Sequence, residues 1–193
     1  MIASLPQLSS FEAFQTWRTD TSRWLPVALD IAHGHGLKTA SPHIFTTGTN
    51  LVIGLGDDLI LKIFPPVLRD QFVSERASLT QLHGRLGLPI PDILFEGERD
   101  NWPYLVITRL PGTVGSEVWP ALPEDQKERV LVQIGAAIAE VQRTPLGELA
   151  DIEPGGHNSW RDRSRAAARG TRASDCRQNF STDLTTSCAT PAR

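Results

Sequence analysis

Lys62 and Glu75 carry opposite charges at positions where a fold would hide both of them. Lys62 lies in Leu59-Ile60-Leu61-Lys62-Ile63-Phe64, a run apolar on both faces, with Ile60 and Phe64 flanking it at two-residue spacing on its own side. Glu75 lies in a segment whose apolar residues recur as Leu68, Phe72, Leu79 and Leu82, a helical period that puts Glu75 on the buried stripe. An ammonium or carboxylate alone in an apolar interior is strongly unfavourable. If the two meet, each compensates the other, and the ammonium stays aimed at an anion bound beside it. From spacing alone a second arrangement stands: Lys62 snorkels at a sheet edge and Glu75 is solvated at the stripe margin. Upstream, Thr47-Gly48-Thr49-Asn50 is a turn whose glycine lets backbone approach an anion closely and whose hydroxyls and amides can donate hydrogen bonds. Taken alone, it is no more than a turn.

The elements that must position these groups follow from hydrophobic patterning. Strands are expected over 44–47, 50–55 and 59–64, with Gly56-Asp57-Asp58 closing a hairpin between the last two. Pro65-Pro66 ends the third strand, and a helix is expected over about 67–83. Two further short strands, 93–95 and 104–108, are joined by a polar turn at 97–101. The expected class is α+β, an antiparallel sheet of about five strands with one packed helix. Pro111-Gly112 then breaks the pattern, and a long helix over about 124–142 carries Val130, Ile134, Ala137, Ile138 and Val141 as its apolar stripe. Ahead of the strands, Thr21 or Ser22 is the expected cap of a helix bearing Trp24, Leu25, Ala28, Ile31 and Ala32, ended by Gly34 and Gly36. Residues 1–17 show no sustained period and are expected to be a mobile or weakly helical leader.

Composition narrows the function classes. The 193 residues suit one domain or one and a half, and a net charge of −3 rules out a uniform basic field for nucleic acid or anionic lipid. Charge is uneven: residues 161–193 hold 7 Arg against 3 Asp, and Phe180 and Leu184 are their only large apolar side chains. Such a tail cannot offset its ordering entropy and is expected to be disordered. Arg161, Arg163, Arg165, Arg169 and Arg172 suggest a basic arm, yet neither aromatic interleaving nor a recognition fold accompanies them, which argues against nucleic-acid binding. No apolar run has the length of a membrane span and the start lacks the regions of a signal peptide, so the expected compartment is the cytoplasm. Cys176 and Cys188 form no disulfide framework or zinc spacing, and His33 and His35, two apart, do not share a helical face.

Gly48-Thr49-Asn50-Leu51-Val52, Leu61-Lys62-Ile63, Glu75, Leu88-Pro89-Ile90-Pro91 and Tyr104-Leu105-Val106-Ile107-Thr108-Arg109-Leu110-Pro111-Gly112 occur in an order and spacing that resembles the aminoglycoside phosphotransferases. These belong to a protein-kinase-like superfamily that includes choline and homoserine kinases, with hygromycin-type phosphotransferases among the closer members. The resemblance covers residues 37–144. It implies a kinase-like small lobe, ATP as cofactor and transfer of its γ-phosphate to a hydroxyl of an aminoglycoside or similar small molecule. Lys62 would then contact the α- and β-phosphates while Glu75 holds it. The turn containing Gly48, Thr49 and Asn50 would cover the phosphates. Ile53, Ile60 and Ile107 would wall the adenine, and the backbone of Thr108 and Leu110 would read its edge from a hinge between two lobes.

One departure from that pattern is large. The family's second lobe carries His-x-Asp-x-x-x-x-Asn and, later, a magnesium-binding Asp, whereas no His in this chain is followed two places later by Asp. Without these groups phosphoryl transfer loses positioning and charge stabilisation, so no catalytic residue is assigned, the Mg²⁺ expected for the family has no ligands, and no turnover is expected from the chain alone. Sixteen Arg against three Lys, with Arg, Ala, Ser and Thr dominating after Trp160, suggests a shift of reading frame near residue 162. The expected organisation is a leader over 1–17, a kinase-like lobe over 18–110, a hinge and the start of a truncated second lobe over 111–160, and a tail over 161–193. The non-enzymatic alternative is a remnant that binds nucleotide or a partner, including a second copy, through the uncovered stripe of the 124–142 helix.

Overall fold

Alternating apolar residues build one antiparallel sheet in the computed structural model, which describes residues 4–38 and 41–152. Its strands are β1 Pro42–Phe45, β2 Leu51–Leu55, β3 Leu59–Ile63, β4 Ile93–Arg99 and β5 Trp102–Thr108, in the spatial order β1-β2-β3-β5-β4. The α+β class, the five strands and the hairpin at 56–58 agree with the pattern of the sequence, and the pairing Leu55↔Leu59 sets the register of β2 on β3. The turn expected over 97–101 is tighter. Arg99 pairs with Trp102, so only Asp100 and Asn101 turn, at φ 53° and 69°. Short polar side chains tolerate that left-handed backbone, and its twist matches that of the flanking strands.

Helices line both faces of the sheet, not one. On the first face lie α1 Phe11–Arg18 and α2 Leu25–Gly34, which bury Phe14, Trp24, Val27 and Ile31 against Leu51, Ile53, Leu61 and Val106. On the other lies α3 Arg69–Leu82, whose Phe72 and Leu79 pack on Phe64, Leu105 and Ile107. The expected helix over 67–83 is therefore present, preceded by a short turn of 3₁₀ helix at Pro66–Leu68.

The expected leader departs most from its pattern. Ser10 caps α1 by accepting from the Ala13 N–H, Phe14 is fully buried, and the Phe14 ring sits 5.9 Å from that of Trp102. The Leu5 N–H donates to Asp100 Oδ2 at 2.8 Å, and Trp102 Nε1 donates to the Pro6 carbonyl at 2.9 Å. Ordering here comes from the distant β4–β5 hairpin, a source that leaves no local period to read. Further on, Asp20, not Thr21 or Ser22, is the capping residue: its carboxylate accepts from the N–H and the hydroxyl of Ser22 at the 3₁₀ turn before α2.

After β5 come the short α4 Gly115–Val118 and the long α5 Glu124–Arg143. On α5, Leu131, Ile134, Ile138 and Val141 are exposed, and an apolar recess of about 290 Å³ opens between its Ile134–Val141 side and Leu86 and Leu88. Among the described residues no helix is long and apolar enough to cross a membrane. The tail over 161–193, with Cys176, Cys188 and the expected frame change, lies outside the described residues.

Candidate functional site

Register decides which side chains share a surface. Val52, Lys62 and Leu105 form one cross-strand row, so the Lys62 side chain leaves the sheet on the α3 face. There α3 brings Glu75 to it: Lys62 Nζ lies 2.5 Å from both Glu75 Oε1 and Oε2, with the side chains only 20% and 27% exposed. The ammonium also stands 5.5 Å from the centre of the Phe64 ring. Both charges are thus turned inward and paired, and the snorkelling arrangement is absent.

One helical turn before Glu75, Gln71 engages the glycine turn. Thr49 Oγ1 donates to Gln71 Oε1 at 3.0 Å, and Asn50 Nδ2 approaches the same oxygen at 3.4 Å. Asn50 is 7% exposed, and its Oδ1 is a buried acceptor with no protein partner among the described residues. Gly48 stands at φ +98°, a conformation strained for any residue with a Cβ. Gln71 went unnoticed in the sequence, although its four-residue spacing from Glu75 puts both on one helical face. Arg18 went unnoticed too, because it lies in the expected leader's flank. Its guanidinium donates to the carbonyl of Gly48 at 2.5 Å and of Thr46 at 3.4 Å, and partial burial lowers its pKa from the ordinary value.

Ile60 and Ile107 are cross-strand partners on the Lys62 face, two residues from the Lys62 row. Ile53 is not with them. It pairs with Leu61 and is fully buried on the α1–α2 side, while the position opposite Ile60 in β2 is Gly54, which adds no side chain. Where the chain leaves β5, the Thr108 N–H donates to the Asp92 carbonyl at 3.0 Å, Thr108 Oγ1 accepts from the Asp92 N–H at 2.8 Å, and the Arg109 N–H donates to the Asp58 carbonyl at 2.7 Å. Thr108 is thereby tied to the connection entering β4 and Arg109 to the turn between β2 and β3, and Leu110 follows them, 41% exposed. A paired ammonium, a glycine turn and an apolar strip on one side of the sheet can hold an anion attached to a flat apolar group.

The donors beside Lys62 do not suit Mg²⁺. Both oxygens of Glu75 are given to the ammonium, and among the described residues no three His, Cys, Asp or Glu gather at metal spacing. On the opposite face, His35 Nε2 and the Tyr104 hydroxyl are 2.9 Å apart, and burial raises the Tyr104 pKa against the opposing effect of Arg99.

A family model described as "Phosphotransferase enzyme family" matches residues 46–185. The match passes both Thr144, where the resemblance drawn from the sequence ends, and residue 162, the expected change of frame. No curated protein matches the chain. Among solved structures, the GDP complex of wild-type aminoglycoside 2'-phosphotransferase-IIIa is similar at TM-score 0.59 and 18% identity, over 72% of this chain and 48% of that one. The GDP complex of a point mutant of the same enzyme gives TM-score 0.59 and 19% identity, over 72% and 47%. At these identities the likeness concerns the fold, and the chain spans about half the length of the structures it matches.

Proposed function

The chain belongs to the phosphotransferase enzyme family, and from that premise we propose that its sheet and α3 form the nucleotide-holding part of an ATP-dependent phosphotransferase acting on a hydroxyl of an aminoglycoside or a similar small alcohol. The observation that carries this reading is the Lys62–Glu75 pair, 2.5 Å apart on the same face as Ile60 and Ile107. In that role Lys62 donates to phosphate oxygens while Glu75 keeps the ammonium charged and oriented. Backbone amides of the turn at Gly48, Thr49 and Asn50 donate to the same phosphates, the slot at Ile60 and Ile107 takes the purine ring, and the backbone at Thr108 and Leu110 meets its edge. The GDP in the similar enzymes supports a purine nucleotide as the ligand class. ATP would supply the phosphoryl group; no step is assigned to Mg²⁺, because the donor set beside Lys62 does not suit it.

The acceptor side is a separate matter. No His in the chain precedes an Asp at the spacing of the family's catalytic loop, which counts toward a second, non-catalytic reading, a chain that binds nucleotide without turning it over. The exposed Leu131, Ile134, Ile138 and Val141 of α5 favour this second reading, a non-catalytic nucleotide-binding remnant that associates with another copy through this stripe. Calorimetric titration with MgATP and MgGTP, followed by a phosphorylation assay on an aminoglycoside, separates the two. Binding with turnover supports the enzyme, binding without turnover supports the remnant, and absence of binding to either nucleotide rejects both.

A further inference from the structure

Arg18 sits on α1, ahead of the sheet and ahead of the stretch that matches the family, yet its side chain reaches the glycine turn. We propose that Arg18 is a positioning residue for the phosphates of a bound nucleotide, acting through the backbone of the turn at 46–49; this rests on the nucleotide-binding reading above. The argument starts from peptide geometry. In a trans peptide the carbonyl of one residue and the N–H of the next point in opposite directions across the same plane. The Arg18 guanidinium accepts nothing and donates only, here to the carbonyls of Gly48 at 2.5 Å and Thr46 at 3.4 Å. With those two carbonyls held toward α1, the N–H groups of Thr49 and Thr47 point away from it. Neither N–H has a protein acceptor among the described residues. Two donors on one side of a turn, with a glycine at φ +98° between them, make a small anion-binding concavity.

The guanidinium is itself anchored. Arg18 accepts at its carbonyl from Trp24 Nε1 at 3.0 Å, Trp24 is 2% exposed, and the guanidinium lies 5.5 Å from the centre of the buried Phe14 ring. From the opposite side Gln71 accepts from Thr49 Oγ1 at 3.0 Å. The turn is therefore gripped from α1 by its carbonyls and from α3 by a side chain, and the Thr47 and Thr49 amides are left to meet a ligand. A planar fork suits two carbonyls better than the single ammonium of lysine does.

The test is titration of the full chain and its Arg18→Ala and Arg18→Lys variants with MgATP, MgGTP and the two parent nucleosides, alongside ligand-free melting curves. Arg18→Ala is expected to weaken triphosphate binding about tenfold, with nucleoside binding unchanged, because only the phosphate-facing amides are disturbed. Arg18→Lys is expected to recover part of the loss, and if Arg18→Ala does not fold, the selective weakening in Arg18→Lys decides the matter. Equal triphosphate binding in wild type and variants overturns the positioning role and leaves the nucleotide reading intact. Parallel loss of nucleoside and triphosphate binding overturns it too, since a merely structural role predicts that result. A wild-type chain that binds neither MgATP nor MgGTP overturns the nucleotide reading, and the role of Arg18 with it.

Discussion

Glu75 gives both of its carboxylate oxygens to a single ammonium, that of Lys62, each at 2.5 Å, across the interface between α3 and β3. With about a fifth to a quarter of each side chain exposed, the pair lies between a surface bridge and a fully buried one. Glu75→Gln is expected to cost about 1–2 kcal/mol of stability, less than the loss of one partner in a dry pair. Lys62→Ala is expected to abolish measurable nucleotide binding while leaving the chain folded. Chemical denaturation and calorimetry on the two variants check both statements, and undiminished nucleotide affinity in Lys62→Ala would falsify the assignment.

Gly97 and Tyr104 form a cross-strand pair in which a Cβ on Gly97 would overlap the Tyr104 hydroxyl oxygen. Gly97→Ala must therefore displace the ring that reaches His35. A loss of about 1–3 kcal/mol is expected, the usual range for overpacking. Adding Tyr104→Phe should not rescue Gly97→Ala, because the ring carbon Cζ, which Phe keeps, would also stand only 2.6 Å from the new Cβ; equilibrium unfolding of the single and double variants checks this.

Tyr104 predicts an alkaline effect with a definite sign. Burial raises its folded pKa above the ordinary value, so the native state holds the phenol proton more tightly than the unfolded chain does. Stability from this group is complete below the unfolded pKa and is lost as pH rises from there through the folded pKa. Phenolate absorbance of the native protein should appear at higher pH than that of the denatured protein, and Tyr104→Phe should flatten the alkaline limb of the stability curve.

At the acid end Asp20 behaves oppositely. Hydrogen bonding from Ser22, with help from Arg23, lowers its pKa, so its contribution is present above the unfolded pKa and is lost as pH falls through the folded one. Asp20→Ala should weaken the turn entering α2 at neutral pH and make little difference in strong acid, a contrast that thermal melts at the two pH values reveal.

For the remnant reading, sedimentation should show a species larger than monomer that grows with protein concentration, because Leu131, Ile134, Ile138 and Val141 stand exposed in a row along α5. Ile134→Lys is expected to hold the chain monomeric without changing nucleotide affinity. A wild-type chain that stays monomeric at every concentration tested removes that reading.

Much of the sheet was legible because two-residue alternation and proline stops are local properties, and the Lys62–Glu75 pairing was legible because a charge inside an apolar pattern demands a partner. Ile53 shows where such reasoning slipped. Both Ile53 and Ile60 are apolar residues in adjacent strands, but the hairpin pairs Leu55 with Leu59, which sets Gly54 opposite Ile60 and sends Ile53 to the other face. Phe14 and Leu5 were illegible for a different reason: their burial rests on Trp102 and Asp100, about ninety residues away, and a segment held from such a distance needs no period of its own.

The first sheet face is closed by Phe14, Trp24, Val27 and Ile31, all of which precede residue 46, where similarity to the family begins. Anyone trimming a gene fragment to the family's borders would thus discard the helices that wrap Leu51, Ile53, Leu61 and Val106. Such a fragment would come out of expression as an insoluble product, its hydrocarbon wall facing water.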